Sequence, residues 1–260
     1  MVNDEIGKRM KENYEQISKY KLTRRMPVIV RLDGRSFHTF TRGFKKPFDN
    51  ILIETMQATM KFLCENIQGA IFAYTQSDEI SILLCDYKRL NSSAWFDNEV
   101  QKICSISAAM ATLEFNRKFL SLIYENRKTD DRTYQESLHK AHKNGAMFDS
   151  RCFTIPESEV ANYFYWRQLD ATRNSIEMVG HCNFSQNELH KKSCSQIQDM
   201  LYEQKGINWN DFATHLKRGS CCYKVVGSDN RSSWIVDTAI PIFVGENREY
   251  IERWLKPIEQ

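Results

Sequence analysis

Two aspartates in this sequence, Asp33 and Asp78, stand beside apolar stretches in a pattern that suits phosphoryl-transfer chemistry. Asp33 ends the apolar run 28–32, whose valine and isoleucine residues favour a buried strand. Asp78 stands in a short polar turn between two further strand-like runs within residues 70–84. Two hard carboxylates on neighbouring strands are the ligands that magnesium-dependent phosphoryl chemistry needs.

A pair of Mg²⁺ ions would need few protein ligands, and Asp33, the carbonyl of Gly34 and Asp78 can supply them. Ions roughly 3.5–4 Å apart would clamp the attacking and leaving oxygens of an in-line displacement, one lowering the pKa of the attacking hydroxyl and the other neutralising the departing pyrophosphate. Because Gly34 has no Cβ, a triphosphate can approach the backbone there. The alternative is that Asp33 is only a turn or cap residue. Glu79 is a third ligand, a residue that supports the ligands, or a solvated side chain.

Side chains that could hold a nucleotide follow Asp33 in the sequence. Lys46 lies in a predicted loop, residues 41–49, where a lysine can bind triphosphate oxygens or simply be solvated. Phe37 could pack against a base or fill the core. His38 could bind a nucleotide or be structural.

The composition restricts the class of protein. With 260 residues, 42% of them hydrophobic, the chain can form a sizeable core. A net charge of +3 does not by itself establish a nucleic-acid partner, and basic pairs such as Lys45-Lys46 are more often ordinary solvated faces than binding sites. The eight cysteines include no CxxC pair, and neither a signal-peptide core nor an apolar run of ~20 residues occurs. These features predict a protein of the reducing cytoplasm with no membrane span.

Periodicity and capping residues predict the elements that position these side chains. The predicted elements are helices in 1–26, 49–65, 99–124 and 158–179, strands in 28–33, 70–84 (two) and 146–155, shorter helices capped by Ser185 and Asn208, and a hairpin of 223–226 and 234–240. The charged segment 126–144 is predicted to be mobile. The order of strands and helices predicts an α+β (α/β) fold: a ferredoxin-like polymerase palm with an antiparallel sheet and added helices. We predict a single catalytic domain, 1–260, with the palm core at about 26–155 and a helical and hairpin extension at about 156–260.

Five short motifs occur in a fixed order along the chain. They are Arg31-Leu32-Asp33-Gly34-Arg35-Ser36-Phe37-His38, Lys46-Pro47-Phe48-Asp49, Gln76-Ser77-Asp78-Glu79, Phe148-Asp149-Ser150-Arg151, and Trp166-Arg167-Gln168 with Asp170 and Asn174; a Lys217-Arg218-Gly219 element follows. Together they resemble the tRNA-histidine guanylyltransferase family, over about residues 28–220. The resemblance is greatest to the bacterial and archaeal-type branch of guanylyltransferase-like 3′-5′ polymerases.

This resemblance implies a polymerase-like palm that adds nucleotides to the 5′ end of tRNA in the 3′-to-5′ direction. A 5′-monophosphate is first activated with ATP, and the 3′-hydroxyl of GTP or another incoming nucleotide then attacks the adenylylated end. The resemblance also implies two Mg²⁺ ions, ATP and GTP as substrates, and a homotetramer in which tRNA crosses the subunits.

The resemblance assigns roles to individual residues as well. The implied metal ligands are Asp33, Gly34 and Asp78, and the implied catalytic residues are Asp33, Asp78 and Glu79. The implied nucleotide-binding residues are Gly34, Arg35, Ser36, Phe37, His38, Lys46 and Ser77. The residues implied in tRNA binding or activity are Lys102, Asp149, Arg151, Arg167, Asp170, Asn174 and Lys217.

Two departures from the family pattern bear on the substrate. Thr172 stands where the eukaryotic members carry a histidine that is associated with reading the histidine anticodon. Asp97-Asn98-Glu99 stands where the family often has a basic triplet, although Lys102 is retained. Both departures suit the bacterial and archaeal-type branch, whose preferred work is templated repair of 5′-truncated tRNA.

The leading hypothesis is therefore a Mg²⁺-dependent nucleotidyltransferase that repairs tRNA 5′ ends by pairing each incoming base with the opposite strand. Three alternatives stay open: addition of one guanosine to tRNA-histidine, a nucleotide cyclase built on the same palm, and a tRNA-binding module with a decayed centre. The presence of both Asp33 and Asp78 argues against the last of these.

Overall fold

The strands of this protein lie side by side in one antiparallel sheet with helices on both faces. The computed structural model describes residues 4–126, 131–227 and 230–256. Within these residues the strands are β1 Val28–Gly34, β2 Ala70–Gln76, β3 Glu79–Leu84, β4 Phe148–Thr154, β5 Ser220–Val226 and β6 Ser232–Asp237, paired in the order β4-β1-β3-β2-β5-β6. The helices are α1 Glu5–Met10, α2 Phe37–Phe40, α3 Asn50–Asn66, α4 Val100–Glu125, α5 Arg132–Asn144, α6 Glu157–Asn183, α7 Gln186–Leu189, α8 Cys194–Lys205, α9 Thr214–Arg218 and α10 Glu249–Glu252. None of these helices is long and apolar enough to span a membrane.

The first four strands, with α3 and α4 between them, form the predicted palm. Their chain order is strand, helix, strand, strand, helix, strand, and their order in the sheet is β4-β1-β3-β2, which is the ferredoxin-like arrangement. The predicted fold class is therefore confirmed. Strand β5 pairs with β2, so the C-terminal hairpin widens the palm sheet. The division of the chain near residue 155 stays a prediction.

Alternation along β1 sends its side chains to two different cores. Val28, Val30 and Leu32 pack with α3 and α4, whereas Ile29 packs on the opposite face with α6. Arg31 and Asp33 follow Ile29 at a spacing of two and so share the face covered by α6. Asp33, the metal-ligand candidate, therefore lies on the face of the sheet covered by the helix that carries the Trp166-Arg167-Gln168 motif.

The C-terminal half of α6 forms a third core with α8. Ile176 and Val179 pack there against Ile197 and Leu201. The capping box predicted at Ser185 is present and opens α7, and a second one opens α8. The helix predicted from Asn208 is instead a short 3₁₀ turn, Trp209–Asp211, followed by α9.

The charged segment 126–144 is more ordered than predicted. Residues 127–130 lie outside the described residues, but α5 occupies most of the rest, and Asp131 caps it by accepting a hydrogen bond from the Tyr134 N–H at 2.9 Å. Tyr134, Leu138 and Ala141 are buried at a spacing of four and three. The prediction was wrong because the many charges of this segment occupy the outer face and obscure this apolar stripe.

The N-terminal segment is helical but does not pack as an amphipathic helix within the chain. Helix α1 continues through one π turn and one 3₁₀ turn to Ser18. Its apolar side chains are 44–77% exposed; they belong to Ile6, Met10, Tyr14, Ile17 and Tyr20. The eight cysteines, all among the described residues, are free thiols, as their spacing predicted.

We expect Leu138→Ala to destabilise the protein, because Leu138 is fully buried between α5 and the rest of the core. The free energy of unfolding should fall by about 2–5 kcal/mol, the usual result of such a truncation. Urea unfolding followed by circular dichroism measures it. The exposed neighbour His139→Ala is the control and should change the value by less than about 0.5 kcal/mol. Equal stabilities would show that α5 is not packed as described.

Candidate active site

The carboxyl end of β1 meets the turn between β2 and β3 at one end of the sheet. Asp33 lies opposite Glu79 of β3 and opposite Asp149 of β4 in the two strand registers. The Gly34 N–H donates a hydrogen bond to the Asp78 carbonyl at 3.0 Å, which ties the end of β1 to the turn. The backbone thus brings Asp33 and Asp78 together, as the sequence pattern predicted.

The two aspartates lie close enough to repel one another. Burial raises the pKa of the Asp78 carboxyl above its ordinary value, and the neighbouring Asp33 carboxylate raises it further. In the part of the chain that the structure describes, no lysine, arginine or histidine lies within ion-pair distance of either group. A bound cation would relieve both the desolvation and the repulsion.

The donor set at this point fits magnesium better than a softer metal. Across the described residues no group of three or more His, Cys, Asp or Glu side chains is placed to hold a metal. Two carboxylates and the Gly34 carbonyl are hard oxygen donors, and Mg²⁺ binds few protein ligands because it retains water or substrate oxygens. These residues therefore fit Mg²⁺, with Asp33 and Asp78 as the charged ligands.

Gly34 has a structural reason to be glycine. A Cβ at this position would lie 2.3 Å from the ring of Phe37, too close for any side chain. Phe37 in turn is only 5% exposed and packs against Phe40, Phe115 and Phe148. The ring of Phe37 therefore belongs to the core, which is one of the two interpretations the sequence left open.

A cavity of about 540 Å³ opens beside Asp78, whereas Asp33 is not among its lining residues. This volume lies within the usual range of small-molecule sites, about 300–1,000 Å³. The predicted residues that line it are Gly34, Ser36, Phe37, His38, Lys46, Ser77 and Asp78. The exposed Lys46 has no carboxylate partner among the described residues, so its ammonium is available to an anion. The predicted nucleotide-binding residues are thus brought together, except Arg35, which does not line the cavity.

Other lining residues were not found from the sequence. Lys45 and Thr41 come from the same loop as Lys46. A basic pair signals Lys45 weakly, since such pairs are common on solvated faces. Met178 of α6 also lines the cavity, and nothing in a sequence connects it with Asp33, because only the packing of α6 across the sheet brings it there.

Glu79 is bound by two arginines behind the aspartates. Arg167 of α6 donates from Nε and Nη2 to the two Glu79 oxygens, both at 2.8 Å, and Arg31 Nη2 lies 2.7 Å from Oε2. Glu79 and Arg167 are nearly completely buried, at 9% and 8% exposure. Both oxygens of Glu79 are thus occupied by guanidinium groups, an arrangement that anchors α6 to the start of β3.

The ion cluster extends along α6 through Asp170. Arg167 Nη2 donates to Asp170 at 2.8 Å, and Arg173 also donates to Asp170. The guanidinium carbon of Arg167 lies 4.3 Å from the centre of the half-exposed Trp166 ring. Asn174 lies one turn beyond Asp170 on the same helix.

The remaining predicted tRNA or activity residues lie in different surroundings. Asp149 and Arg151 are exposed on β4 and pair with each other at 3.2 Å, on the sheet face that Asp33 occupies. Lys217 is 7% exposed, and its ammonium donates to the Asn210 carbonyl, with burial lowering the pKa of Lys217. This geometry makes the Lys217 side chain part of the fold around α9.

Lys102 is far from the paired aspartates. It lies in the first turn of α4, ten residues before Thr112, which is about 15 Å along the helix. Thr112 is the residue whose hydroxyl accepts from the Phe148 N–H, at the end of the sheet that carries Asp33. Lys102 is exposed and lies 3.9 Å from Glu99. It is therefore available to a partner but not to the Asp33 centre.

The acidic triplet that departs from the family pattern is neutralised by another segment. Asp97 forms ion pairs with Lys21 and Arg24. Lys21 also forms an antiparallel bridge with Glu99. The reversal of charge at residues 97–99 is thus matched by basic residues that precede β1.

Paired carboxylates at the end of a ferredoxin-like sheet, next to a lysine-lined cavity, are the arrangement of a palm-type nucleotidyltransferase. The family model described as Thg1, tRNAHis guanylyltransferase, matches residues 7–156. The chain belongs to this family, and it is an enzyme of the nucleotidyltransferase class.

Individual relatives agree with this membership. A structure of a bacterial tRNA(His) guanylyltransferase (Thg1)-like protein in complex with ATP is 44% identical, covers 96% of this chain and 99% of that one, and superposes with a TM-score of 0.81. A structure of such a bacterial protein in complex with GTP is 43% identical, with coverage of 96% and 98% and a TM-score of 0.79. The tRNA(His) guanylyltransferase of Kluyveromyces lactis is 28% identical over 207 residues, 74% of this chain and 80% of its own length.

Glu79→Gln tests whether the buried ion cluster positions the site. We expect the free energy of unfolding to fall by about 3–5 kcal/mol, because the buried Arg167 and the partly buried Arg31 lose their shared counter-charge. The control is Glu136→Gln, which removes an exposed pair with Arg132 and should cost less than about 1 kcal/mol. A Glu79→Gln protein with wild-type stability but no turnover would contradict this and place Glu79 at the reacting atoms.

Asp78→Asn should stabilise the ion-free protein. Folding raises the pKa of the Asp78 carboxyl, so the folded state loses stability as the pH rises from the ordinary pKa of an aspartate through the raised one. The amide of asparagine does not ionise, so the variant does not lose this stability. In a chelator at about pH 8, we expect the Tm to rise by roughly 2 °C, and this gain should shrink as the pH falls toward the ordinary pKa of an aspartate. Differential scanning calorimetry measures it. The exposed Asp149→Asn is the control, and an equal or lower Tm for Asp78→Asn at the higher pH would contradict the interpretation.

Proposed function

We propose that this protein adds nucleotides to the 5′ end of tRNA in the 3′-to-5′ direction, with Mg²⁺, and that its work is templated repair of 5′-truncated tRNA. The observation that carries the proposal is the neighbouring carboxylates Asp33 and Asp78, of which the desolvated Asp78 lines the same cavity as Lys46. Paired carboxylates of this kind suit metal-assisted displacement at phosphorus.

The proposed reaction has two displacements at phosphorus. In the first, an oxygen of the RNA 5′-monophosphate attacks the α-phosphorus of ATP, and pyrophosphate leaves. In the second, the 3′-hydroxyl of the incoming nucleotide attacks the RNA 5′-phosphorus, loses its proton, and displaces AMP. The new 5′ end carries the triphosphate of the added nucleotide. An RNA that already has a 5′-triphosphate skips the first step and releases pyrophosphate in the second.

Each residue of the site has its own part in the proposed reaction. Asp33, Asp78 and the Gly34 carbonyl would hold two Mg²⁺ ions, which when bound lower the pKa of the attacking hydroxyl and neutralise the leaving group. Lys46 is placed to bind triphosphate oxygens as a point charge, and His38 and Ser77 line the same cavity. Glu79 acts from behind through Arg167, which fixes the β2–β3 turn against α6. The bacterial relatives solved with ATP and with GTP support both nucleotides as substrates.

Templated repair is favoured over addition of a single guanosine by Thr172. Its hydroxyl donates to the Gln168 carbonyl within α6 at 2.9 Å, and the side chain is half-buried. Such a residue cannot replace a histidine that reads an anticodon base. Selection by base pairing needs only shape and phosphate contacts from the protein.

A homotetramer that shares one tRNA is part of the proposal. The exposed apolar side chains of the N-terminal segment, which include Ile6, Tyr14 and Ile17, support it, since a surface of this kind is usually covered in an assembly.

The test is 5′-end extension of RNA. The protein, Mg²⁺ and all four nucleotides are mixed with several tRNAs lacking their first nucleotide, each with a 5′-monophosphate or a 5′-triphosphate end, and products are resolved by denaturing electrophoresis. We expect addition of the nucleotide complementary to the opposite strand, in histidine and non-histidine tRNAs alike. Asp33→Ala and Asp78→Ala should each lower the rate by roughly 10³-fold or more.

The outcomes separate the alternatives. Extension confined to tRNA-histidine would favour guanosine addition, and a cyclic nucleotide formed from ATP or GTP without RNA would favour a cyclase. Absence of extension with both kinds of 5′ end would reject the proposal.

A further inference from the structure

A second concave surface lies on the far side of the loop that follows β1. We call it the α5 cleft: it measures about 230 Å³ and is lined by Thr39, Phe40, Arg42 and Gly43 from the loop and by Ser137, Lys140, Ala141 and Asn144 from α5. No residue of the predicted site lines it. It exists because the segment 132–144, predicted to be mobile, folds as a helix against the loop.

The cleft is held in shape by close contacts. A Cβ at Gly43, whose φ is +88°, would lie 2.3 Å from the Ser137 hydroxyl, so α5 and the loop touch at this point. Nearby, the Tyr134 hydroxyl of α5 donates to Asp49 at 2.7 Å, and Asp49 also accepts from the Lys45 N–H at 3.0 Å. These contacts join α5 to both ends of the loop, so the walls of the cleft are preorganised.

The cleft is positively charged, and its cations have no carboxylate partner among the described residues. Over the described ranges, no carboxylate lies within ion-pair distance of Arg42, Lys140 or Lys143, whereas Arg132 at the other end of α5 is paired with Glu136 at 2.9 Å. The side chains of Thr39 and Asn144 line the cleft and have no hydrogen-bond partner within the same ranges. Two cations and two free polar groups in a concave site favour an anion.

The same loop connects the cleft with the catalytic cavity. Arg42 lines the cleft, and Lys45 and Lys46, three and four residues later, line the cavity. The carboxylate within this part of the loop, Asp49, is 4% exposed and already accepts three hydrogen bonds. A basic path therefore leads from the reacting centre over the loop to the end of α5.

The sugar-phosphate backbone of a nucleic acid fits this path better than a second nucleotide does. A volume of about 230 Å³ is below the usual range of sites for whole small molecules. The aromatic side chain at the cleft, Phe40, is 9% exposed and packs among core phenylalanines, so it offers no face to a base. Charge and hydroxyl or amide donors without a stacking surface are the contacts that proteins make to the sugar-phosphate backbone.

We propose that the α5 cleft binds backbone phosphates of the RNA whose 5′ end lies in the catalytic cavity, with Arg42 and Lys140 as the contacting cations. This inference rests on the proposed action on tRNA and adds the surface that holds the RNA beyond its reacting end.

The experiment measures tRNA binding without chemistry. Arg42→Gln, Lys140→Gln and the wild type are titrated with a 5′-truncated tRNA in Mg²⁺, with no nucleotide, over a series of salt concentrations. The matched control is Lys224→Gln, an exposed lysine of β5, on the side of the sheet away from β4 and α5. Each cleft variant should bind about five- to eightfold more weakly at 0.1 M salt, and the slope of log affinity against log salt should shrink by about 0.7–0.9, the loss of one phosphate contact. The control should show neither change.

Binding of ATP and the sedimentation of the protein are measured on the same variants. Unchanged ATP affinity and unchanged oligomeric state complete the expected result. Weaker ATP binding with unchanged tRNA binding would overturn the proposal and assign the cleft to a nucleotide's triphosphate. A changed oligomeric state with unchanged tRNA binding would overturn it in favour of a subunit contact, and cleft variants that match the control would overturn it outright.

The two proposals can fail separately. A wild-type protein that binds tRNA but does not extend it would reject the proposed function and leave the cleft to be judged by the variants. A protein that extends tRNA, with cleft variants equal to the control, would reject the cleft alone. A wild-type protein that does not bind tRNA would reject both.

Discussion

The structure depends on holding two carboxylates beside one another with no basic side chain of the described residues within ion-pair distance of either. Asp33 and Asp78 repel each other, and Asp78 is desolvated as well. The backbone must therefore hold the two carboxylates together against this repulsion. It does so through the antiparallel pairing of β1 with β3 and the hydrogen bond from Gly34 to Asp78. A like-charge pair of this kind is stabilised when a cation binds it, and the donors here, two carboxylates and the Gly34 carbonyl, fit a hard cation.

The buried cluster of Glu79, Arg31 and Arg167 makes this arrangement rigid. It lies on the face of the sheet that α6 covers, directly behind the turn that carries Asp78. Glu79 faces two positive charges in this cluster, and Asp170 on the next turn of α6 supplies a second negative charge beside Arg167. Because a buried ion pair contributes little net stability, its value here lies in fixing the position of α6 relative to the hairpin.

The cavity combines parts of the chain that are distant in sequence. The loop after β1 contributes its lysines, the turn before β3 contributes Ser77 and Asp78, and α6 contributes Met178 from a hundred residues further on. Helix α5 supports the loop from outside through Tyr134 and Asp49. The helices added to the palm therefore complete the site as well as enlarge the fold.

The sequence alone determined the elements whose signals are local. The β-branched run before Asp33, the capping residue Asp49 and the Ser185 capping box each act within a few residues, and the chain order of strands and helices then specified the palm. Local patterns failed where charge obscured a short apolar stripe, as in α5, and at Asn208, which caps only a 3₁₀ turn. Tertiary structure alone decided the surroundings of each motif residue. The sequence left open whether Glu79 is a ligand, a supporting residue or a solvated one, but packing buries Glu79 and Lys217 and gives both protein partners. Met178 and Arg42 reach their cavities only because α6 and α5 pack where they do. The reason is physical: burial, desolvation and ion pairing depend on which elements meet across the sheet, and no spacing along the chain encodes those distances.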